Sequence, residues 1–499
     1  MVLLKKGDKM ELLEKVVSFI NGLVWNNWLI GMCLLSGLFF TIVTRFLQVR
    51  HIKEMVRLLF KGESSESGVS SFQAFAISIS GRVGTGNIAG VATAIALGGP
   101  GALFWMWVIA FVGAGSAYVE SALAQIYKEK QNGEYRGGPA YYIEKGLGQK
   151  WYAVLFAVIT MLAMGLFMPG VQSNSIALGM QEAFSISPMI TGIGIVCILG
   201  LIIFGGVKRI GKVAEVVVPF MAIAYILVSL VIIGMHITEL PGVFKLIVSS
   251  AIGVQPVFGG LLGYAVLWGV KRGIYSNEAG QGTGPHAAAA AEVTHPVKQG
   301  LVQAFSVYID TLFVCSATGF MIIITGMYNV IGPGGDFIVN KIGDVSIGPV
   351  YTQMAVESVF PGFGSIFVAI SLLFFAFTTI MAYYYIAECN VAYLTKDNGN
   401  KWLINVLRFA LLGAVLFGAV QKAEVIWGIG DIGVALMAYL NIVAIILLRK
   451  PALVALKDYE EQKKAGLDPV FNPVKLGIKN ADFWVQCADE IDDYVEEIN

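Results

Sequence analysis

The sequence predicts an all-α polytopic membrane protein with about eleven spans, in which one extra N-terminal helix precedes two inverted repeats of five helices. Of the 499 residues, 56% are hydrophobic and only 14% are charged, whereas soluble domains carry about 25% charged residues. About eleven apolar runs are long enough to cross a bilayer core, which needs about 20 residues per helix. Two of these runs are interrupted by glycine-rich stretches, a pattern typical of transporters built from inverted repeats.

The apolar runs divide the chain into a membrane domain and two flanking segments. The runs cover residues 28–47, 69–97, 102–126, 151–180, 188–206, 211–236, 257–290, 299–327, 362–388, 402–420 and 425–448. The predicted units are an N-terminal amphipathic segment (1–27), a transmembrane transporter domain (28–448) and a cytoplasmic C-terminal tail (449–499). Within the domain they are the extra helix (28–47), repeat one (69–236) and repeat two (257–448). Because the tail is charged and polar, we expect it to be poorly packed.

The distribution of lysine and arginine predicts the orientation in the membrane. Alternate loops from 48–70 onward hold 15 basic residues, and the loops between them hold 3. Since cytoplasmic loops are enriched in basic residues, the loop 48–70 and the C-terminus are predicted to be cytoplasmic. With eleven spans, the N-terminus then lies outside the cell, and we expect a multi-pass protein of the plasma membrane. Four lysines argue against this placement of the N-terminus: Lys5, Lys6, Lys9 and Lys15.

Composition and missing motifs exclude several other classes of protein. The 34 basic residues equal the 34 acidic residues, so no basic surplus is left to neutralise nucleic-acid phosphates. The five cysteines include no CxxC pair, which argues against a zinc site or a disulfide framework. The glycine-rich stretches lack the Gly-Lys-Ser/Thr ending of a phosphate loop, and neither HExxH nor GxSxG occurs. We expect no enzymatic activity and no cofactor, with sodium only as a co-transported ion.

The two interrupted runs resemble each other. The first contains Ser80-Gly-Arg-Val-Gly-Thr-Gly-Asn87, and the second contains Gly269-Val-Lys-Arg-Gly-Ile-Tyr-Ser-Asn277. An offset of 190 residues matches Arg82 with Arg272, Asn87 with Asn277, Ala89 with Ala279 and Gly90 with Gly280. Broken helices at corresponding positions of two repeats usually form the binding site of such a transporter.

Several motifs resemble one transporter family. The run Gly98-Gly-Pro-Gly-Ala-Leu-Phe-Trp-Met-Trp107 resembles the signature of the sodium:alanine symporters, also called alanine-or-glycine:cation symporters. Further similar stretches are Gly84–Gly90, Tyr275–His286 and Glu388–Asn390. The resemblance covers about residues 20–450. It implies the leucine-transporter fold of the amino acid–polyamine–organocation superfamily, with alanine or glycine carried together with sodium.

Backbone groups at the breaks are candidates for binding the substrate. The amides of Gly84, Thr85 and Gly86 lie at the start of a half-helix, where they can bind a carboxylate. On the second break, Ser276 and Asn277 are assigned to the substrate or its ion. The alternative reading is that the small residues only allow close helix packing.

Side chains from neighbouring helices are predicted to limit the size of the substrate. Gly165 and Phe167 form a tight region on one helix, and Trp268 directly precedes the second break. Gln73 and Ile77 are four residues apart, so they share a helix face that could form a pocket wall. Ordinary helix packing is the alternative for these positions.

The family resemblance also implies a sodium site between the first broken helix and a pair of hydroxyls on a later helix. The candidate ligands are the hydroxyls of Thr378 and Thr379 and the carbonyls of Ser80 and Val83. The threonines could instead bond to carbonyls of their own helix. Asn87 either binds a second sodium ion or caps the N-terminus of its half-helix.

The favoured hypothesis is thus a secondary active symporter that takes up alanine or glycine with sodium by alternating access. The expected partners are that amino acid, sodium and membrane lipids, without nucleic acid. The alternatives are a proton-coupled permease, with Glu278 or Asp310 as the proton carrier, and an ion channel. Intramembrane charges are usually paired or functional, and Arg82 and Arg272 could act in gating by exchanging acidic partners.

Overall fold

Helices occupy every predicted apolar run. The computed structural model describes residues 6–60, 67–205, 207–396 and 401–486. The helices up to residue 251 are α1 (Lys6–Val24), α2 (Asn27–Val43), α3 (Leu47–Arg50), α4 (Ile52–Leu59), α5 (Ser71–Arg82), α6 (Val91–Gly98), α7 (Gly101–Ile126), α8 (Pro139–Leu147), α9 (Lys150–Leu162), α10 (Met168–Phe184), α11 (Pro188–Ile203), α12 (Val207–Met235) and α13 (Leu240–Ala251). The later helices are α14 (Leu262–Asn277), α15 (Gly284–Ala290), α16 (Pro296–Tyr308), α17 (Ser316–Ile324), α18 (Pro349–Glu357), α19 (Gly364–Thr395), α20 (Lys401–Val420), α21 (Ala423–Leu447) and α22 (Arg449–Lys464).

Short elements connect these helices. Among the described residues, π-helical turns lie at Gly86–Gly90, Ala163–Phe167 and Ile309–Cys315, and a 3₁₀ turn lies at Gly259–Leu261. Antiparallel hairpins pair β1 (Glu129–Gln131) with β2 (Glu134–Arg136) and β3 (Val330–Ile331) with β4 (Phe337–Val339). Since π-turns often occur at functional sites, their positions are relevant below.

Seven helical stretches in the described part of the chain are long and apolar enough to cross a membrane. They are Gly101–Ile126, Lys150–Phe184, Arg209–Met235, Pro296–Ile324, Gly364–Thr395, Trp402–Val420 and Ala423–Leu447. The helices α1 and α2 meet at a bend of 43° and give an eighth if they count as one span. The remaining predicted runs form shorter or broken helices. By length and composition, the described residues therefore include seven or eight candidate spans, as expected of an integral membrane protein.

Both glycine-interrupted runs are broken helices. The helix α5 ends at Arg82, and three residues separate it from the π-turn that leads into α6. The helix α14 ends at Asn277, and α15 begins only at Gly284. Glu278 begins this second break in the left-handed region, at φ 56°. The offset of 190 residues does not superpose the helix ends, because Arg272 lies within α14 whereas Arg82 is the last residue of α5.

The helices pack closely around α7. Gly269 and Gly273 of α14 face this helix, and a Cβ on Gly269 would lie 2.5 Å from the carbonyl oxygen of Ala102. A Cβ on Gly273 would lie 3.5 Å from the Cα of Met106. Small residues four apart allow such close approach between membrane helices. The first half of the second broken helix is therefore held against a long, buried helix.

The C-terminal tail packs against the bundle, and the expectation of a poorly packed tail is wrong for residues 449–486. Phe471 and Trp484 are buried, and the indole N–H of Trp484 donates to the carbonyl of Gln125 at 2.8 Å. Aromatic side chains in a polar segment supply this apolar area. We call the side of the bundle that carries α22 the tail face. Residues 487–499 lie outside the described residues.

Candidate functional site

The two helix breaks meet inside the bundle. Gly86 passes so close to α14 that a Cβ on it would lie 3.1 Å from the Cα of Ser276. Both residues are buried. A glycine permits this approach because it carries no side chain. The structure thus brings together two residues that sequence reasoning assigned to one site.

The amides of the first break are occupied by side-chain oxygens. The amide of Gly84 donates to Asn87 Oδ1 at 2.8 Å. The amide of Thr85 donates to Gln172 Oε1 at 3.0 Å. Both side-chain oxygens accept hydrogen bonds as a carboxylate would. The N–H groups of Gly84 and Thr85 therefore face positions that a hydrogen-bond acceptor can occupy.

Gln172 was missed by sequence reasoning. Its side chain comes from α10 and is buried. The signal lay in the polar run Gln172-Ser-Asn-Ser175 inside an otherwise apolar segment. Polar side chains at membrane depth generally bond to a neighbouring helix or line a site.

Thr379 joins α19 to the first broken helix. Its hydroxyl lies 2.8 Å from the carbonyl oxygen of Ser80 and 3.4 Å from that of Val83. It also lies 2.9 Å from the carbonyl of Phe375 in its own helix. Several neutral oxygens therefore converge around the Thr379 hydroxyl. Three of the four ligands predicted for this sodium site contribute them: Thr379, Ser80 and Val83.

The hydroxyl of Thr378 points elsewhere. It donates to the carbonyls of Phe374 and Phe375 at 3.0 and 2.9 Å, and its other neighbour is the sulfur of Met221 at 3.9 Å. This is the bonding to the preceding turn that Ser and Thr commonly adopt in membrane helices. Of the two threonines, only Thr379 contacts α5 in this structure.

A buried carboxylate lies where both breaks converge. Asn87 donates from Nδ2 to Asp310 Oδ1 at 2.6 Å, and the hydroxyl of Ser276 lies 3.0 Å from each carboxylate oxygen. Thr311 donates to Asp310 Oδ2 at 2.7 Å and is in turn 3.3 Å from Asn277 Nδ2. Two predicted site residues, Asn87 and Ser276, therefore contact a carboxylate in the π-turn after α16, and Asn277 is linked to it through Thr311.

Asp310 was predicted as a proton carrier in the alternative hypothesis and not as part of the ion site. A buried carboxylate with hydroxyl oxygens beside it is the kind of site that hard cations prefer. The π-turn at Asp310 could not be predicted from the apolar pattern, because that pattern continues without a break through residues 299–327. The charge of Asp310 inside an apolar run was the available signal.

Gln73 lies away from the first break, and the side chain of Ile77 faces α12. Gln73 forms a capping box with Ser70 at the start of α5 and donates to Glu215 at 3.1 Å. Ile77 is buried near Gly211. Ten residues separate Gln73 from Val83, which corresponds to about 15 Å along a helix.

Gly165 and Phe167 contact neighbouring helices. A Cβ on Gly165 would lie 2.8 Å from Cδ1 of Leu407 on α20. The ring of Phe167 lies beside Gly433 of α21. These contacts place both residues in the packing between α9, α10 and their neighbours.

Trp268 belongs to a buried charged cluster at the middle of α14. Arg272 donates to both oxygens of Asp431 at 2.9 and 3.2 Å, and Lys271 pairs with the same carboxylate at 2.8 Å. The ring of Trp268 lies 5.2 Å from Lys271 Nζ, and Trp25 donates to the Asp431 carbonyl at 2.8 Å. Two cations thus share one carboxylate beneath the extra N-terminal helices.

Arg82 has a different environment. It donates to the carbonyl of Gln303 at 3.2 Å and to the hydroxyl of Ser306. Its Nε and Nη2 groups have no hydrogen-bond partner, and no ion pair within 4.0 Å involves it among the described residues. The repeat-related arginines therefore differ, because Arg272 is paired and Arg82 is not.

Comparison with known proteins places the chain among transporters. A sequence model of the sodium:alanine symporter family matches residues 10–473. A putative sodium/proton-dependent alanine carrier protein of Bacillus subtilis is 65% identical, over 94% of this chain and 97% of that protein. A sodium/proton-dependent alanine carrier protein of a Bacillus species is 54% identical, over 86% and 97%. A probable sodium/glutamine symporter of Bacillus subtilis is 47% identical, over 92% and 94%.

Proposed function

Because the chain belongs to the sodium:alanine symporter family, we propose that it takes up alanine or glycine together with sodium by alternating access. Two similar proteins are named as sodium/proton-dependent alanine carriers, and a third is named for glutamine. The observation that carries the proposal is the meeting of two broken helices around Thr379 and Asp310.

The proposed architecture is a leucine-transporter-like arrangement of two inverted five-helix repeats behind one extra helix. The breaks between α5 and α6 and between α14 and α15 support this architecture. It is also supported by the presence of a helix in each predicted apolar run. In this arrangement the breaks lie near the middle of the membrane. The excess of basic residues in alternate loops supports a cytoplasmic C-terminus and an N-terminus outside a plasma membrane.

A zwitterionic amino acid needs partners for both charges when it leaves water. Its carboxylate would bind the amides of Gly84, Thr85 and Gly86, with the Gln172 side chain displaced. Its ammonium would face oxygen atoms near the second break, on the side of Ser276 and Asn277. Backbone groups freed by helix breaks bind charged ligands in this way in other transporters.

Two cation positions follow from the oxygen groups. One sodium would bind between the Thr379 hydroxyl and the carbonyls of Ser80 and Val83, where neutral oxygens converge. A second cation would bind beside Asp310 and Asn87, where a carboxylate supplies negative charge. A tenfold sodium gradient supplies about 1.4 kcal/mol, and a potential of 100 mV adds about 2.3 kcal/mol per charge. One sodium ion could thus concentrate a neutral substrate several-hundred-fold.

Uptake into proteoliposomes tests the proposal. Purified protein should accumulate radiolabelled alanine when a sodium gradient is imposed, and a potassium gradient of the same size should not support accumulation. Glutamine, alanine and glycine as unlabelled competitors would identify the substrate. Accumulation with potassium and no sodium would contradict sodium coupling, and ion currents without any amino acid would favour a channel.

A further inference from the structure

The two broken helices meet a second time, at the tail face. The amide of Val69, just before α5, donates to the carbonyl of Ala290 at 2.9 Å, and the amide of Glu292 donates to the carbonyl of Val69 at 2.8 Å. Val69 and Ala291 thus form a parallel β-bridge between the start of α5 and the end of α15. In alternating access, one side opens only when the elements that close it separate. On the tail face, this bridge is such a closure.

The end of α15 is also held from α7. The carbonyl of Ala291 accepts hydrogen bonds from Gln125 Nε2 at 3.0 Å and from Lys128 Nζ at 3.1 Å. Gln125 lies in the last turn of α7, Lys128 follows this helix, and both side chains are buried. A buried ammonium is unfavourable unless other groups compensate for the water it has lost. The surroundings of Lys128 therefore determine whether it keeps this contact.

The C-terminal tail supplies much of those surroundings. Lys128 Nζ lies 4.6 Å from the ring centre of Phe483, 5.2 Å from that of Trp484 and 4.3 Å from that of Tyr135 in β2. Phe483 and Trp484 belong to residues 468–486, which we call the strap. Aromatic rings at these distances attract a cation, and more strongly where water is excluded. The strap therefore stabilises the lysine that holds the end of α15.

The strap also bonds directly to the loop between α15 and α16. The amide of Phe471 donates to the carbonyl of Thr294 at 2.9 Å, and the hydroxyl of Thr294 donates to the carbonyl of Pro469 at 2.8 Å. Further along the strap, Asn480 Nδ2 donates to the carbonyl of Lys145 in α8 at 2.8 Å. The strap thus connects the end of the second broken helix to a neighbouring helix.

The strap can move without α22. Gly466, which lies between α22 and the strap, has a φ of 78°, a conformation typical of glycine after a helix end. The helix α22 has its own anchor, since the hydroxyl of Tyr118 donates to the carbonyl of Ala452 at 3.1 Å. The first ion pair of the strap joins Lys298 to Asp468, whose side chain is 76% exposed, and exposed pairs contribute little stability. Detachment of the strap therefore leaves α22 in place.

We propose that the strap acts as a latch, which keeps the tail face closed and leaves the α15–α16 loop before this face opens; this rests on the proposed function. While the strap is bound, Lys128 stays among the aromatic rings and holds Ala291, so the bridge to Val69 persists. When the strap leaves, Lys128 loses the rings of Phe483 and Trp484. The end of α15 is then free to separate from the start of α5.

A disulfide between the strap and the bundle tests this role. Thr294→Cys and Val470→Cys are suited to it, because the residues on both sides of Val470 bond to Thr294 and both side chains are exposed. Chains bonded in this way lie about 4.8 Å apart, within the Cα separation of a disulfide. In proteoliposomes, oxidation of the full-length double variant should lower sodium-driven alanine uptake about tenfold or more, because a fixed latch blocks the opening step. Reduction should restore uptake, and each single variant should keep its uptake when oxidised.

Labelling of a buried position measures opening of the tail face directly. Ala290→Cys places a thiol beside the bridge, where Ala290 is 4% exposed. Its reaction with a polar maleimide is followed in detergent by mass spectrometry of the labelled peptide. Trp484→Leu removes the ring and the N–H donor but keeps apolar volume, and it should raise the labelling rate about fivefold or more through more frequent local opening. Val474→Ala, at an exposed strap position, is the matched control and should leave the rate unchanged.

The outcomes separate a latch from a purely structural segment. Full uptake by the cross-linked protein, or unchanged labelling in a folded Trp484→Leu variant, would overturn the latch. A purely structural strap predicts a lower unfolding temperature without faster labelling. If Trp484→Leu does not fold, the cross-link decides, and failure of the disulfide to form would contradict the contact between the strap and the loop. Absence of sodium-driven uptake in the wild type and in the reduced double variant would contradict the proposed function, whereas the labelling would still test the latch.

Discussion

The hydroxyl of Thr379 in α19 donates a 2.8 Å hydrogen bond to the carbonyl oxygen of Ser80, in the last turns of α5. The bond crosses between two helices that are 299 residues apart in sequence at this contact. It satisfies a carbonyl that the end of a helix leaves without an intrahelical partner. In the proposed sodium site, an ion among these oxygens would take over that role, which would link ion binding to the position of α5.

Replacing Thr379 by valine should therefore weaken sodium binding. Valine has nearly the same shape but lacks the hydroxyl that faces Ser80 and Val83. We expect the sodium concentration for half-maximal alanine uptake to rise by about tenfold or more, since a buried ligand group lost from one partner costs about 1–3 kcal/mol. The measurement is alanine uptake as a function of sodium concentration.

Thr378→Val is the matched control, because that hydroxyl bonds only to carbonyls of its own helix and lies near Met221. We expect less than about threefold change in sodium dependence, since the loss of a bond to the preceding turn perturbs a helix only slightly. Equal effects of the two substitutions would mean that the sodium site uses both hydroxyls in another conformation.

Gly84→Ala should impair substrate binding. A Cβ at Gly84 would collide with the Thr379 hydroxyl and lie 3.0 Å from Gln172 Oε1. We expect alanine affinity to fall by about tenfold or more, because a crowded, strained contact commonly costs about 1–3 kcal/mol. Isothermal calorimetry in detergent, with sodium present, would measure this affinity.

The control for this substitution is Gly413→Ala in α20, where an added Cβ meets no atom within 4 Å. Alanine at an exposed helix position is favoured over glycine by about 1 kcal/mol, so the control should bind substrate normally. Normal affinity in Gly84→Ala as well would place the substrate away from the first break.

The sequence was sufficient to locate the helices and both breaks because each depends on local composition. Apolar runs define membrane helices, and glycines at positions such as Gly84 mark where a helix opens. The contact between Ser80 and Thr379 was predicted from the family resemblance. Nothing local to either residue specifies which distant helix will lie opposite.

Gln172 and Asp310 show what local patterns could not supply. Each is a polar residue within an otherwise apolar segment, and its role depends on which helix faces it. The packed tail was missed for a similar reason, since Phe471 and Trp484 are too widely spaced in a polar segment to form a recognisable periodic pattern. Tertiary contacts alone give these residues their partners.

Asp310→Asn should weaken the second cation position. The asparagine can still accept hydrogen bonds from Asn87 and Ser276, but it carries no negative charge. We expect the sodium dependence of uptake to become less steep, with half-maximal sodium raised by about tenfold. The same substitution should leave the protein folded, as judged by size-exclusion chromatography. Unchanged steepness and midpoint would exclude Asp310 as a cation ligand.

Asp431→Asn should destabilise the protein more than any of the substitutions above. The carboxylate compensates both Lys271 and Arg272, and all three side chains are buried. Removing it leaves two buried cations without a counter-charge, and breaking a buried ion pair costs about 3–5 kcal/mol. We expect a large fall in the thermal unfolding temperature in detergent.

Lys271→Met should lower the unfolding temperature less, because the two hydrogen bonds from Arg272 to Asp431 remain. As a control, Lys422→Ala removes a surface ion pair with Glu14 and should leave the unfolding temperature unchanged. An equal fall in unfolding temperature in all three variants would show that the stability contributed by this cluster does not depend on its burial.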